Sequence, residues 1–352
     1  MTATTATTGG TSIAAPAAAG ASRPGTAASR AAGVARVLVT GVGGVPGFDL
    51  ARGVLARGHQ VVVVDAEPLA VGLALPGTTA RVVVRADDPR YPEALLALCR
   101  ELRPDAILST VEAELVHLVA LREALTGLGV RTWLPGCDTV LACVDKARFH
   151  QVMTGHGVPG PATWLPEDLH LIPGPMPLVV KPRRGQGARG VHFCADPLQA
   201  ATLCELVEDP IVQQRVTGRE FTADCLVDDD ATASVVLRYR LLVKGGLSMV
   251  SRTFADPAVT DTVRRALTAL GMVGACCAQG FVTDDDRVLI TEVNARVAGG
   301  FPLAEAAGAD LVGQLLAGLF GRPVDHDRMA YTPGRTLTKY IETLSTADRG
   351  LS

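Results

Sequence analysis

The chain has 352 residues, of which 48% are hydrophobic, 20% are charged and 4% are aromatic. This composition excludes a wholly disordered protein, and the lack of any apolar stretch of bilayer-spanning length excludes a membrane span. The formal net charge is −3, with 33 basic and 36 acidic residues and no basic block, so nucleic acid is not expected as a partner.

The first segment differs in composition from the rest. Residues 1–35 are rich in Ala, Thr, Gly, Ser and Pro and contain no aromatic or acidic residue. Such a sequence buries too little apolar surface to offset its ordering entropy, so a disordered tail is predicted. The eight cysteines show no CxxC spacing, which predicts reduced thiols that fill the core of a cytoplasmic protein.

The folded part begins at Arg36 with a pattern typical of a βαβ unit. Residues 37–40 predict a strand, the glycine turn 41–47 leads into a helix at 48–57, and residues 61–64 predict a second strand, joined by a right-handed crossover. Further elements are predicted as helices at 92–103 and 112–125 and strands at 105–109 and 130–133. Residues 36–144 are therefore predicted to form a parallel, Rossmann-like α/β domain.

From Asp145 onward, the pattern changes to strands that follow one another. The predicted elements are a helix at 146–154, a proline-rich extended segment at 159–177, strands at 178–181 and 191–194, a helix at 197–207, strands at 211–213, 219–228, 233–243 and 247–254, a helix at 257–270, and strands at 275–283 and 287–293. Successive strands favour an antiparallel sheet. A central subdomain at 145–213, a C-terminal subdomain at 214–330 and a C-terminal tail at 331–352 are predicted.

The first motif is the glycine turn that follows the first strand. Gly41, Gly43, Gly44 and Gly47 resemble a dinucleotide fingerprint, and Asp65 follows at the distance of a ribose-binding acid. A tight strand-to-helix turn in any α/β domain has the same residues. The motif alone does not decide between the two interpretations.

The second motif is a lysine followed by a glycine-rich, basic loop. Lys181 ends a predicted strand, and the loop at 183–190 contains Arg184 and Arg189. Backbone amides and guanidinium groups of such a loop can wrap a polyphosphate, and the lysine adds a point charge. No Gly-Lys-Ser/Thr closes the loop, so it is not a Walker A motif, and a basic surface hairpin is the alternative.

The third motif combines two neighbouring strands near the C-terminal end. Glu292, Asn294 and Arg296 alternate along one predicted strand, and Gln279 lies on the other, so the period of two directs them to one site. Carboxylate and amide oxygens suit Mg²⁺, and Arg296 can bind a phosphoryl or acyl-phosphate group through two hydrogen bonds. The acidic triplets at 228–230 and 284–286 are instead predicted to be solvated turns.

In order and spacing, these features resemble the ATP-grasp superfamily, and within it the branch similar to the carbamoyl-phosphate synthase large subunit. The resemblance covers about residues 36–323. The matching segments are VLVTGVGGVPG, PDAILSTVEAEL, the Asp145-Lys146 pair, GVPGPAT, VVKPRRGQGARGV, IVQQRVTGREFTAD, and AQGF followed by ITEVNARVAGG.

The resemblance implies an α/β and α+β fold, namely the ATP-grasp fold preceded by a Rossmann-like domain, with ATP and two Mg²⁺ ions, or Mn²⁺, as cofactors. Its implied ATP-binding positions are Lys146 and Lys181, the phosphate-covering loop of Gly185, Gln186, Gly187, Ala188, Arg189 and Gly190, the hinge of Gln213, Gln214, Arg215 and Val216, and Glu220 near the ribose. Its implied metal ligands are Gln279, Glu292 and Asn294. Arg296 faces the phosphorylated intermediate and, with Lys181, is expected to be catalytic.

The resemblance also implies a reaction. A substrate carboxylate takes the γ-phosphoryl group, and an amine then displaces phosphate from the acyl phosphate, so an ATP-dependent ligase that forms carbon–nitrogen bonds is expected. The partners implied are small, amino-acid-like carboxylates and amines, with a homodimer as the family expectation. The presence of only one ATP-binding unit argues against the two-step carbamoyl-phosphate reaction.

Departures from the family pattern and the acceptor site remain to be explained. Ala188 replaces a common serine, and Gln213-Gln214 replaces a frequent acid. Glu112 and Glu114 follow a predicted strand and either meet an amine or cap a helix, where acids are favoured in any case. The other candidate substrate residues are Arg252, which an ordinary surface arginine would equally explain, and Arg296, Gly299 and Gly300.

Three rival functions stay open at this point. They are another ATP-grasp reaction such as carboxylation or carboxylate phosphorylation, a nicotinamide-dependent oxidoreductase that uses the glycine turn, and a non-catalytic binding module.

Overall fold

A computed structural model of the chain describes residues 33–185, 187 and 189–341. The predicted disordered tail lies outside the described residues except for residues 33–35. Gln186 and Ala188 of the glycine-rich loop and residues 342–352 of the predicted C-terminal tail lie outside them as well.

The N-terminal part is a four-stranded parallel sheet in the order β3-β2-β1-β4 with helices packed around it. Its strands are β1 (Arg36–Thr40), β2 (Gln60–Asp65), β3 (Thr79–Val82) and β4 (Ala106–Ser109). Its helices are α1 (Val45–Ala56), α2 (Tyr91–Leu102), α3 (Glu112–Ala120), α4 (Arg122–Gly127) and α5 (Cys137–Val144). The predicted Rossmann-like parallel domain is confirmed.

Three details of this domain differ from the sequence pattern. The helix predicted at 112–125 divides at Leu121, where α3 ends and α4 begins. The strand predicted at 130–133 is wrong, because only an isolated bridge joins Arg131 to Ala106. The short strand β3 and helix α5 were not predicted.

A second, four-stranded antiparallel sheet has the order β5-β8-β6-β7. Its strands are β5 (Thr163–Trp164), β6 (Leu178–Pro182), β7 (His192–Cys194) and β8 (Pro210–Gln214). The accompanying helices are α6 (Lys146–Gly155) and α7 (Pro197–Cys204). One face of this sheet packs on a small core that includes Leu178, Val180 and Val212, which leaves the face carrying Lys181 and Gln213 for the site.

The third sheet is six-stranded and antiparallel, in the order β13-β12-β9-β10-β11-β14, as the strand pattern predicted. Its strands are β9 (Arg219–Val227), β10 (Ala233–Lys244), β11 (Leu247–Thr253), β12 (Gly274–Val282), β13 (Val288–Asn294) and β14 (Thr336–Thr338). Helices α8 (Pro257–Leu270), α9 (Pro302–Ala306) and α10 (Leu311–Leu319) belong to this region. Because β14 joins the sheet, the segment predicted as a C-terminal tail contains a structural strand.

Helix α8 packs on one face of the large sheet, and its ends and its buried face follow from the local sequence. Asp256 caps it by accepting hydrogen bonds from the backbone N–H groups of Ala258 and Val259 at 2.9 and 3.2 Å, and Gly271 ends it with a left-handed φ of 62°, as expected for such caps. The residues buried at helical spacing are Val259, Val263, Ala266, Leu267 and Leu270. They cover one face of the sheet, so the other face is left to carry polar side chains.

Among the described residues, no helix is long and apolar enough to cross a membrane. All eight cysteines are free thiols, and six of them are buried.

Candidate active site

Two neighbouring strands of the large sheet bring together the predicted metal ligands. Gln279 on β12 lies directly opposite Glu292 on β13, and Cys277 lies opposite Asn294. Because residues opposite one another share a face of the sheet, all four side chains project from the same side. Asn294 Nδ2 donates a hydrogen bond to Glu292 Oε1 at 3.2 Å, so the amide orients the carboxylate.

Arg240 on β10 adds a positive charge that the sequence did not reveal. Its Nη1 donates to Glu220 Oε1 at 2.5 Å and to Gln279 Oε1 at 3.1 Å, and its Nη2 donates to the Gly246 carbonyl at 2.7 Å. Burial raises the pKa of Glu220, although Arg240 opposes this rise and Glu292 adds to it. Glu220 is therefore held in an ion pair at the site.

Lys181 connects the small sheet to this polar face. Its Nζ donates to Gln213 Oε1 at 2.8 Å, and Gln213 Nε2 donates to Thr163 Oγ1 at 2.9 Å. Burial lowers the pKa of Lys181 to about 8, while Glu292 opposes the shift and Lys146 adds to it. Because such charge effects require proximity, Lys181, Lys146 and Glu292 lie near one another.

Lys146 is fixed at the start of α6. Asp145 caps this helix by accepting hydrogen bonds from Ala147 N and Arg148 N at 3.0 and 3.1 Å. Lys146 Nζ donates to the Gly185 carbonyl at 2.9 Å, so the lysine meets the base of the glycine-rich loop. The two predicted nucleotide-binding lysines are therefore brought together.

The glycine-rich loop requires glycine for its backbone. Gly185, Gly187 and Gly190 have φ values of 139°, 71° and 65°, a region that favours glycine. Arg189 is exposed. Arg184 forms ion pairs with Asp145 at 3.1 Å and with Asp209 at 2.9 Å, so its guanidinium is already engaged beside α6. The predictions for Gln186 and Ala188 lie outside the described residues.

The predicted hinge continues from β8. The backbone N–H of Gln214 donates to the Ala162 carbonyl at 2.8 Å, and that of Arg215 donates to the Pro177 carbonyl at 2.9 Å. The Arg215 guanidinium lies 4.8 Å from the centre of the Phe193 ring. Val216 follows this pair in an intermediate position between buried and exposed.

Strand β13 ends at Asn294, so Arg296 lies beyond the strand and not on it as predicted. Its Nη2 donates to Glu112 Oε1 at 2.6 Å, and both side chains are 13% exposed. Within the described part of the chain, its buried Nε has no hydrogen-bond partner. Burial raises the pKa of Glu112, Arg296 opposes the rise, and Glu292 adds to it, so Glu112 belongs to the same charged cluster.

Glu114 and Arg252 do not join this cluster. Glu114 is buried within the N-terminal domain, where it accepts hydrogen bonds from Thr40 Oγ1 and, at 2.8 Å, from Ser109 Oγ. Both Glu112 and Glu114 lie in the first turn of α3, where acids are favoured, as the capping interpretation expects. Arg252 is exposed and pairs with Tyr239 in the sheet, which places it on the face opposite Arg240.

Gly299 and Gly300 form a tight turn beside the site. A Cβ added to Gly300 would lie 2.5 Å from the guanidinium carbon of Arg238. Arg238 in turn forms a buried ion pair with Asp224, with an Nε to Oδ2 distance of 2.7 Å and side-chain exposures of 2% and 1%. A Cβ at Gly299 would lie 2.9 Å from Leu247 Cδ1. Both glycines therefore serve close packing.

The glycine turn of the N-terminal domain is likewise packed against its surroundings. The Gly43 N–H donates to Asp65 Oδ2 at 2.7 Å, so the acid expected to bind a ribose instead holds the turn. A Cβ at Gly47 would lie 2.2 Å from the Gly41 carbonyl oxygen. These contacts favour the tight-turn interpretation over dinucleotide binding.

The acidic triplets form turns, as predicted. Asp228 Oδ1 accepts from the backbone N–H groups of Asp230 and Thr232 at 3.0 and 2.7 Å, and Asp285 pairs with Arg287 at 2.7 Å. Within the described ranges, no group of three or more His, Cys, Asp or Glu side chains has metal-binding geometry.

Comparison with known protein families matches two separate segments of the chain. The family described as ATP-grasp domain matches residues 143–300, and the family described as PylC-like, N-terminal domain, matches residues 48–133. The first match contains Lys146, Lys181 and the polar face with Glu292.

Three solved structures illustrate the similarity of fold. L-amino acid ligase from Bacillus licheniformis is 19% identical with a TM-score of 0.68, over 86% of this chain and 77% of that chain. N5-carboxyaminoimidazole synthetase from Staphylococcus aureus, complexed with ADP, is 15% identical with a TM-score of 0.68, over 83% and 78%. A biotin carboxylase complex from Campylobacter jejuni is 16% identical with a TM-score of 0.67, over 83% and 72%.

At these identities the structural likeness establishes the fold, and the domain match covers the segment that holds the lysines and the polar strands. The predicted resemblance to this superfamily is thereby confirmed, and the expected class of enzyme, an ATP-dependent ligase, agrees with it. Residues 143–300 of the chain therefore match the ATP-grasp domain family, and the chain has the fold of the solved structures named above.

Proposed function

We propose that this protein is an ATP- and Mg²⁺-dependent carboxylate–amine ligase that forms an amide or peptide bond and releases ADP and phosphate. Its substrates are small, amino-acid-like carboxylates and amines. The single observation that carries the proposal is the polar arrangement on the two sheets: Gln279 lies opposite Glu292 on the large sheet, and Lys181 is held by Gln213 on the small sheet. A nucleotide phosphate group between these sheets would meet both the cation and the metal-binding acid.

The donor set of the site fits Mg²⁺. Mg²⁺ is commonly held by one or two carboxylates together with phosphate oxygens of the substrate, and Glu292 is such a carboxylate with Gln279 and Asn294 beside it. Gln279 Oε1 already accepts from Arg240 at 3.1 Å, so metal binding uses the second lone pair of this oxygen. When bound, Mg²⁺ neutralises charge on the transferring phosphoryl group.

The side chains of the site provide binding and orientation. Lys181 and Lys146 attract the phosphate chain, and Gln213 holds Lys181 in place. Arg296, whose buried Nε has no hydrogen-bond partner among the described residues, would bind an anionic oxygen of the acyl phosphate. No protein nucleophile is needed, because the substrate supplies it.

The two chemical steps balance without a further reactant. A carboxylate oxygen forms a bond to the γ-phosphorus of ATP as the bond from that phosphorus to the β–γ bridging oxygen breaks, which releases ADP. The amine nitrogen then forms a bond to the acyl carbon as the bond from that carbon to the phosphate oxygen breaks. The amine loses a proton and inorganic phosphate leaves.

A screen for ADP release tests the proposal. The full-length protein is incubated with MgATP and amino acids, singly and in pairs, and products are identified by mass spectrometry. We expect ADP release to require a specific pair and to accompany a product joined by an amide bond. Thermal unfolding in MgATP and in NAD(P) provides a control, since the ligase proposal expects stabilisation by MgATP alone.

ATP-dependent carboxylation is the second candidate, favoured by the fold likeness to biotin carboxylase and N5-carboxyaminoimidazole synthetase. It predicts ADP release that depends on bicarbonate instead of an amino-acid carboxylate. A bicarbonate series in the same screen separates the two reactions. Absence of both MgATP stabilisation and ADP release would overturn the proposed function.

Two further properties belong to the proposal. The free state of all eight cysteines supports a reducing, cytoplasmic location. We also infer a homodimer, for which size-exclusion chromatography with light scattering is the direct test.

A further inference from the structure

The N-terminal domain contributes an acid, Glu112, that pairs with Arg296 near the predicted metal ligands. Glu112 is in the first turn of α3 and pairs with Arg296 at 2.6 Å. Arg296 comes just after β13, which carries Glu292 and Asn294. The ion pair therefore joins the two domains at the point where the proposed acyl phosphate forms.

Arg296 is only partly satisfied by the protein. Its Nη2 donates to Glu112, and its Nη1 donates to the Val297 carbonyl at 3.2 Å and to Cys277 Sγ at 3.9 Å. Its buried Nε has no partner among the described residues. A buried donor without a partner costs stability unless a ligand completes it. The guanidinium is thus anchored at two nitrogens and offers the third.

On the basis of the proposed function, we propose that Glu112 is a positioning residue that holds Arg296 so that its Nε–H meets an anionic oxygen of the phosphorylated substrate. The partner of this interaction is the phosphoryl or acyl-phosphate group. Glu112 acts through Arg296 and does not touch the substrate itself.

A second ion pair links the same two regions and provides a control for the effect of bridging alone. Arg57, just after α1, pairs with Glu305 on α9 at 2.9 Å and with Asp310 at 2.7 Å. It also links the N-terminal domain to the C-terminal part of the chain, but through neither Arg296 nor the polar face. Glu305→Ala is therefore a matched control for the loss of a bridging ion pair.

Inorganic phosphate provides a probe that does not require the natural substrates. Phosphate is titrated calorimetrically into the full-length protein saturated with MgADP, for wild type and for Glu112→Ala, Glu112→Asp and Glu305→Ala. Removal of an acid would by charge alone tighten phosphate binding. Loss of orientation instead weakens it, by about tenfold, the value of one well-placed charge-assisted hydrogen bond.

The expected result is weaker phosphate binding in Glu112→Ala, an intermediate affinity in Glu112→Asp and a wild-type affinity in Glu305→Ala. In an Arg296→Ala background, replacement of Glu112 should have no further effect, because the residue acts through Arg296. Thermal unfolding of each variant verifies that it folds. If Glu112→Ala does not fold, Glu112→Gln, which retains an acceptor oxygen, replaces it.

Wild-type or tighter phosphate binding in the Glu112 variants, or equal effects of Glu112→Ala with and without Arg296, would overturn the positioning role. So would a wild-type MgADP complex that binds no phosphate. Failure of the proposed function is read separately, from the ADP-release screen on the wild type, so the two ideas can fail independently.

Discussion

Glu292 lies directly opposite Gln279 across the β12–β13 ladder, and the register shifts immediately after Gln279. The irregularity begins at Gly280, so the strands are in register at the two polar residues and out of register beyond them. A bulge at this point re-aims the neighbouring side chains, as bulges beside functional sites commonly do. The metal-binding role proposed for Glu292 requires this local pairing.

Replacement of Glu292 by Gln should lower the rate of ADP release by about 100-fold or more, because metal ligation supplies several kcal/mol to phosphoryl transfer. The change is isosteric, so thermal unfolding should stay close to that of the wild type. Glu93→Gln, which removes an exposed acid on α2, is the matched control. Substantial ADP release by Glu292→Ala would show that the metal assignment is wrong.

Binding of MgATP should weaken as the pH rises above about 8. Lys181 must be protonated to attract phosphate, and burial lowers its pKa to about 8 in the free protein. Below that pH the lysine is already charged, whereas above it binding must take up a proton, so affinity falls by up to about tenfold per pH unit. Calorimetric titration across this range measures the slope.

Lys181→Arg gives the control for this pH dependence. Arginine keeps its charge throughout the range, so the slope above the pKa of the lysine should disappear even if the absolute affinity changes. An unchanged slope in Lys181→Arg would assign the titration to another group.

The Asp224–Arg238 ion pair should be important for stability. Both side chains are buried, and removal of one partner of such a pair leaves an uncompensated charge that costs about 3–5 kcal/mol. We expect Asp224→Asn to lower the free energy of unfolding by this amount in urea. Glu93→Gln breaks the exposed pair with Arg100 and should cost less than about 1 kcal/mol; similar losses in both variants would contradict the prediction.

Gly300→Ala should destabilise the protein by about 1–3 kcal/mol, the usual cost of overpacking, and should reduce ADP release. The new Cβ would lie 2.5 Å from Arg238 Cζ, which would displace either the buried guanidinium or the turn next to Arg296. Gly127→Ala is the control, since a Cβ there meets no atom within 4 Å and alanine favours the helix. Equal stability of the two variants would argue against this packing account.

Much of the fold was predictable because its signals are local. The βαβ pattern, the capped helix α8 and the long alternating strands β9 to β13 each follow from apolar periodicity and turn residues. Strand β3 is a four-residue edge strand without a buried residue, so it has no apolar pattern. Helix α5 is short and follows a glycine. Strand β14 is defined by its pairing with β11, and its own sequence has no strand pattern.

The site was predictable to the extent that its residues share a strand or a loop. Gln279, Glu292, Asn294 and the two lysines were identified from their spacing and from the family resemblance, and their roles remain predictions. Arg240 was missed because its partners are on β9 and β12, although its alternation with the buried Arg238 along β10 was a signal. The Glu112–Arg296 pair spans 184 residues, and the face of the sheet on which Arg252 lies follows only from the strand register.

The last strand of the large sheet has a further consequence for handling the protein. Strand β14 covers the hydrogen-bonding edge of β11, and Lys339 Nζ secures the segment to Asp49 Oδ2 on α1 at 3.0 Å. A truncation before Thr336 would expose unpaired backbone groups that another molecule can extend. Strand β14 thus reduces the tendency of the sheet edge to aggregate. Versions of the chain that lack it should be tested for solubility before activity.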